Sequence, residues 1–95
     1  DFLSFVDAAI ETQESSYELV NVGQGSGVKI KDLVQKIIDA SEKDLKIVHD
    51  LSKPSVPTSL YLDCSRAKSI FGWEPKNTLE EGIGKTITWY RQNVL

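Results

Sequence analysis

The glycine-rich segment Gly23-Gln24-Gly25-Ser26-Gly27 has the residue types that could bind an anion. It stands between a predicted extended segment and a predicted helix, where a glycine turn lets free main-chain N–H groups face a phosphate. The dinucleotide-binding fingerprint, however, requires its third glycine where Val28 stands. We therefore interpret the segment mainly as a structural loop before a helix. If this loop faces a pocket, Gly25 and Ser26 are the residues predicted to contact the ligand.

The other reactive side chains form no catalytic or metal-binding pattern in the sequence. His49 stands beside Asp50, but no nucleophile is near it in the chain, and we predict a surface histidine at the end of a strand. Cys64 lacks the C-x-x-C or H-x-x-x-H spacing of metal ligands. Asp63, two residues before a serine, is predicted to position the start of a helix. The sequence therefore predicts no metal ion in this chain.

Composition limits the class of protein. The 95 residues, 40% of them apolar, are enough for one domain, whereas a second independent core would be marginal. A net charge of -3 argues against nucleic acid as a partner, and no apolar run approaches the roughly 20 residues that cross a bilayer. A single cysteine suits a reducing compartment, so we expect a cytoplasmic protein. The chain opens without methionine inside an amphipathic run, which predicts further sequence upstream of Asp1.

Apolar residues at helical spacing predict two amphipathic helices, and capping residues predict two more. Ser65 is predicted to cap the third helix, and Gly72 is predicted to end it in the left-handed conformation. A capping box formed by Thr78 and Glu81 opens the last helix, in which Gly84 costs about 1 kcal/mol relative to alanine. The predicted helices cover residues 2 to about 13, about 30 to 41, 65 to about 70, and about 79 to 94.

Three short runs of branched and aromatic residues predict strands over residues 17 to 22, 45 to 49 and 60 to 62. Between the second and the third run, Pro54 and Pro57 force an extended loop. Four helices packed on a minimal sheet of two or three strands make the predicted fold class α/β. We expect residues 1 to 95 to form a single small domain.

Five short motifs occur in the order and spacing found in one enzyme family. They are Val20-Asn21-Val22-Gly23, Gly25-x-Gly27-x-x-Ile30-x-x-Leu33, the proline loop, Asp63-x-Ser65-Arg66-Ala67 and Gly72-Trp73-x-Pro75. Over essentially its whole length the chain resembles the C-terminal portion of NAD-dependent nucleotide-sugar epimerases and dehydratases, in the extended short-chain dehydrogenase/reductase family. Each motif is weak alone, and their combination is specific to the family but to no single substrate.

The resemblance implies that this chain holds the substrate and not the chemistry. Members of the family have an N-terminal Rossmann domain that binds NAD and carries a Tyr-x-x-x-Lys pair, whose tyrosine is the catalytic base. No tyrosine here is followed by lysine four positions later, since Asn21, Ser65 and Val94 stand there. The implied parent is thus an NAD-dependent enzyme, and this C-terminal domain binds neither NAD nor a metal by itself.

The family commonly carries an Arg-x-Gly-Asp stretch about eight residues before the Asp-x-Ser-Lys/Arg-Ala motif. Aligned backward from Asp63, its arginine falls on Lys53, its glycine on Ser55 and its aspartate on Val56. Lysine keeps a positive charge for a diphosphate, as a mobile point charge in place of a planar fork, whereas valine accepts no hydrogen bond from a hydroxyl. The resemblance makes Lys53 a further candidate substrate-binding residue, besides the glycine loop.

Two other functions compete with this interpretation. The chain could be a stand-alone binding or interaction module of the same topology, or a small phosphate-binding domain that uses residues 23 to 27. A part of a larger enzyme should expose an apolar patch where the rest of the protein packs, whereas a self-contained module should cover its core. The first helix, with Phe2, Phe5 and Val6, is where we expect that patch.

Overall fold

The computed structural model describes all 95 residues and contains four α-helices. They are α1 (Phe2–Thr12), α2 (Ile30–Ser41), α3 (Ser65–Phe71) and α4 (Leu79–Asn93). These bounds confirm the four predicted helices. The chain divides into two compact units: the first contains residues 1–27 and 60–78 with α1 and α3, and the second contains residues 28–59 and 79–95 with α2 and α4.

The predicted sheet, and with it the α/β fold class, is wrong. The structure has no strand: residues 17 to 22, 45 to 49 and 60 to 62 are non-helical, and their main-chain groups form no hydrogen bonds with other main-chain groups. A strand is stable only when a neighbouring strand accepts and donates its main-chain hydrogen bonds, and residue types alone do not supply that neighbour. The fold is therefore a set of helices joined by irregular segments.

The alternation that predicted the first strand still describes where its side chains go. Val20 and Val22 are half-buried and pack against the core of the first unit, whereas Leu19 and Asn21 are exposed. The alternating pattern thus predicted correctly which side chains face the core. It predicted wrongly that the main chain pairs with another strand.

The core of the first unit is small and aromatic. Ala67, Phe71 and Trp73 are its buried residues. The Phe5 ring of α1 lies 5.5 Å from the Phe71 ring and 5.5 Å from the Trp73 ring, edge-on to both, at interplanar angles of 88° and 78°. The Trp73 Nε1–H donates to Ser4 Oγ at 2.9 Å, so its polar atom is satisfied where it is buried. These contacts hold α1 against α3.

The end of α3 confirms the predicted glycine stop. Gly72 has φ 62°, in the left-handed region, where residues with a Cβ are strained. Its N–H donates to the Lys68 carbonyl at 2.9 Å, and the Trp73 N–H donates to the Ala67 carbonyl at 3.2 Å. The chain thus reverses at Gly72, and this reversal brings Trp73 back over α3.

Polar contacts at the surface join α2 and α4 in the second unit. Lys36 of α2 forms an ion pair with Glu80 of α4, and this pairing raises the pKa of the lysine and lowers the pKa of the carboxyl. Arg91 Nη2 donates to the Ser41 carbonyl at 2.6 Å, and its Nη1 lies 3.8 Å from Glu42 Oε2. No residue of α2 or α4 is buried, so the apolar faces of these helices are only partly covered.

Two glycine-to-alanine substitutions are expected to change stability in opposite directions. Gly72→Ala should lower the free energy of unfolding of the first unit by about 1–2 kcal/mol, because alanine is strained at φ 62° and its Cβ meets no atom within 4 Å that would compensate. Gly84→Ala should raise the stability of the second unit by about 1 kcal/mol, since this glycine lies inside α4 in open space. Urea unfolding followed by circular dichroism measures both changes. A Gly72→Ala variant as stable as the original chain would contradict the conformational argument.

Candidate functional site

A cavity of about 290 Å³ in the first unit brings the glycine loop together with the start of α3 and the segment after Gly72. It is lined by residues 23–25, residues 63–65, Lys68 and residues 73–75. The cavity is the place in this unit where main-chain glycines and several charged side chains face the same space. We therefore treat it as the candidate site.

Two side-chain amides hold the glycine loop in place. Asn21 Nδ2 donates to the Asp63 carbonyl at 3.3 Å, and Gln24 Nε2 donates to the Asn77 carbonyl at 3.0 Å. Gly25 has φ 69°, so the loop needs glycine at this position. A Cβ built on Gly23 would lie 3.6 Å from the Cys64 sulfur, which is an ordinary contact. The loop is therefore positioned by hydrogen bonds and one left-handed glycine.

Asp63 has the helix-positioning role that its place in the sequence predicts. Its carboxylate accepts the Ser65 main-chain N–H at 2.9 Å at the first turn of α3. This hydrogen bond, and a smaller contribution from the Ser65 hydroxyl, hold the pKa of Asp63 below its ordinary value. The carboxylate is thus charged at neutral pH at the edge of the cavity.

The charges around the cavity do not favour a phosphate. Lys68 Nζ lies 2.8 Å from Glu74 Oε1, so its charge is already paired, and Asp63 adds a second carboxylate. An anion would be repelled by the two carboxylates, whereas hydroxyl groups could donate to them. The arrangement suits an uncharged, hydroxyl-rich group better than a diphosphate, which weakens the case for a phosphate-binding loop.

The structure places the three predicted substrate-binding residues in different settings. Gly25 lines the cavity, and Ser26 is exposed beside it. Lys53 belongs to the second unit, where it is exposed and takes part in no ion pair. Their contacts with a substrate stay a prediction.

A local turn positions Lys53. The Ser52 hydroxyl and main-chain N–H donate to Asp50 Oδ1 at 2.6 and 3.0 Å, and the Lys53 N–H donates to the Asp50 carbonyl at 3.3 Å. The hydroxyl and then the N–H of Ser52 lower the pKa of Asp50. The main chain at Lys53 is thus part of a hydrogen-bonded turn, and its side chain is exposed.

Sequence reasoning missed how the candidate cavity is assembled. It assigned substrate contacts to the glycine loop and to Lys53, whereas residues 63–65 and 73–75 form the other walls around the glycine loop. About forty residues separate the two sides, and no local pattern indicates that they meet. The helix-capping carboxylate of Asp63 was the one available signal, and we interpreted it as structural only.

The remaining reactive residues are accounted for locally. His49 is exposed, as predicted, although it ends no strand. Arg66 forms an ion pair with Glu18 at 2.9 Å. Cys64 is a half-buried free thiol. No group of three or more histidine, cysteine or acidic side chains is close enough to hold a metal ion. None of the helices has the length and apolar composition needed to span a membrane.

The chain is similar to curated enzymes that act on nucleotide sugars. It is 37% identical over 83 residues to the putative GDP-L-fucose synthase 2 of Arabidopsis thaliana, which covers 87% of this chain and 25% of that protein. It is 40% identical over 81 residues to the probable GDP-L-fucose synthase 1 of Oryza sativa subsp. japonica, with 85% and 24% covered. It is 31% identical over 85 residues to the dTDP-glucose 4,6-dehydratase of Streptomyces antibioticus, with 88% and 25% covered.

The similarity is confined to a part of those enzymes, because the chain spans about a quarter of the length of the curated relatives it matches. No protein-family model matches the chain. No solved structure matches it either. The matches nevertheless cover most of this chain, and these relatives are all enzymes named for nucleotide sugars. The chain therefore belongs to the nucleotide-sugar epimerases and dehydratases and corresponds to their C-terminal part.

Proposed function

We propose that this chain is the nucleotide-sugar-binding C-terminal part of an NAD-dependent epimerase or dehydratase of the extended short-chain dehydrogenase/reductase family. The observation that carries the proposal is the match of enzymes for two different nucleotide sugars, GDP-L-fucose and dTDP-glucose, over 85–88% of the chain. Because the sugar and the base differ between these relatives, we assign to the matched segment the chemistry that these nucleotide sugars share, which is a diphosphate linked to a sugar.

The substrate contacts that we propose follow that chemistry. Lys53 supplies a positive charge to the diphosphate, and it is available because no carboxylate is paired with it. As a separate proposal confined to the first unit, Gly25 and its neighbour Ser26 contact the sugar at the cavity beside the glycine loop. There the carboxylates of Asp63 and Glu74 support the proposal, since they can accept hydrogen bonds from sugar hydroxyls.

The residues of this chain do not fit NAD. The chain lacks the dinucleotide fingerprint, and the cavity beside its glycine loop carries two carboxylates, which would repel a pyrophosphate. It also lacks a Tyr-x-x-x-Lys pair. We therefore assign NAD and the catalytic residues to a Rossmann domain in the rest of the whole protein, which we place in the cytoplasm.

The exposed apolar surface of α1 favours this proposal over a stand-alone module. Phe2, Leu3 and Ile10 are 65%, 75% and 77% exposed, although a self-contained domain gains by covering such side chains. A helix of this composition is expected to pack against further protein.

The isolated 95-residue chain is expected to show neither turnover nor NAD binding. It should leave GDP-, dTDP- and UDP-sugars unchanged in the presence of NAD or NADP, because it holds no catalytic base. Calorimetric titration with NAD should give no binding heat. The dTDP-glucose 4,6-dehydratase of Streptomyces antibioticus, assayed in parallel, is the positive control. Conversion of any nucleotide sugar by the isolated chain would overturn the assignment of catalysis to the rest of the protein.

A further inference from the structure

Helix α1 has two apolar faces, of which only one is used within the first unit. Phe5, Ala8 and Ala9 pack against the aromatic core, and Ser4 accepts the Trp73 indole hydrogen bond. A surface helix of a globular protein usually has a single apolar stripe facing the core, and a helix that is apolar nearly all round is usually buried. The second apolar face of α1 therefore needs a separate explanation.

That second face, which we name the α1 stripe, consists of Phe2, Leu3, Val6 and Ile10. Val6 is half-buried, and the other three are largely exposed. An open surface cavity of about 360 Å³ runs beside Val6 and Ile10 as far as Gln13. Leu3, Val6 and Ile10 follow each other at spacings of three and four residues, which is the spacing of a seam between two helices. The shape of the stripe therefore suits a helix.

The charge beside the α1 stripe has one sign only. Asp7 follows Leu3 by four positions and Glu11 follows Asp7 by four, so both carboxylates lie along one edge of the stripe. Neither takes part in an ion pair. Residues 1 to 28 contain no lysine, arginine or histidine. A partner that covers the stripe is therefore favoured when it brings positive charge to this edge.

We propose that the α1 stripe binds a basic amphipathic helix, and that this helix belongs to the rest of the whole protein. The claim that this helix belongs to the rest of the protein rests on the proposed function. The claim that the stripe favours a basic helix rests only on the residues of α1. A second copy of the chain is disfavoured, because two α1 stripes in contact would bring four carboxylates together without a cation. An anionic lipid surface is disfavoured for the same reason.

Chemical labelling of position 10 tests the proposal. An Ile10→Cys variant, made in a Cys64→Ser background, is treated with a maleimide both as the isolated chain and as the whole natural protein, and the labelled peptide is quantified by mass spectrometry. Position 10 should react at least about tenfold more slowly in the whole protein, because it is covered there. A Ser16→Cys variant, at an exposed loop position, is the control and should react at the same rate in both.

Charge reversal separates a basic partner from any other cover. In the whole protein, Asp7→Lys combined with Glu11→Lys should restore fast labelling of position 10, whereas Asp7→Asn with Glu11→Gln should restore it only in part. Equal labelling rates in the whole protein and the isolated chain would overturn the interface. If labelling of position 10 in the isolated chain becomes slower as the chain concentration rises, the stripe binds a second copy of the chain, and the proposed interface is overturned.

The same preparation separates this proposal from the proposed function. A whole protein that protects position 10 but converts no nucleotide sugar retains the interface and contradicts the enzymatic proposal. A whole protein that converts a nucleotide sugar but leaves position 10 reactive supports the enzymatic proposal and contradicts the proposed interface.

Discussion

Replacing Trp73 with alanine is expected to abolish the cooperative unfolding of the first unit, with a loss of about 3–5 kcal/mol. Trp73 is one of the three buried residues of the chain, and its ring lies edge-on to Phe5 of α1. The substitution would also leave the Ser4 hydroxyl without its indole donor. Because so few residues are buried, the remaining contacts cannot compensate for this loss.

Trp89 offers a matched control of the same residue type. It lies on α4 of the second unit and is 59% exposed, so Trp89→Ala is expected to change the free energy of unfolding by no more than about 0.5 kcal/mol. Urea unfolding of both variants, followed by far-ultraviolet circular dichroism, measures the difference. Equal losses for the two tryptophans would show that the core lies elsewhere.

The helices could be predicted because their signals are local. The apolar spacing of α2 and the cap residues around α3 lie within a few positions of the backbone that they control. Gly72 is the clearest case, since a glycine followed by Trp73-x-Pro75 specifies a left-handed stop that the structure contains. Each of these features needs no information about distant parts of the chain.

The sheet could not be predicted reliably, because a strand depends on a partner far away in sequence. Residues 45 to 49 have the branched side chains of a strand, yet they lie along an open groove beside α2 and pair with nothing.

The candidate site was predictable only in its local parts. The turn at Gly25 and the helix-positioning carboxylate of Asp63 follow from the residues beside them. The proximity of the glycine loop to residues 73–75 does not follow from local sequence, because it depends on how the first unit folds. The charge of the cavity, with one paired lysine and two carboxylates, could therefore be assigned only from the folded structure.

The largest functional effect is expected between the whole natural protein and the isolated chain. The whole protein should convert at least one nucleotide sugar with a rate enhancement of about 10⁶-fold or more over the uncatalysed reaction, a typical lower limit for enzymes. The isolated chain should give none, because it lacks the dinucleotide fingerprint and the Tyr-x-x-x-Lys pair to which we assign hydride and proton transfer. The difference would assign the chemistry to the part outside these 95 residues and leave substrate binding to this chain.

Turnover of GDP-, dTDP- and UDP-sugars by the whole natural protein, with product separation by anion-exchange chromatography, tests the central claim most directly. We predict epimerised or dehydrated product from at least one of these nucleotide sugars, and none when the isolated chain replaces the whole protein. A folded whole protein that leaves every nucleotide sugar unchanged would contradict the account.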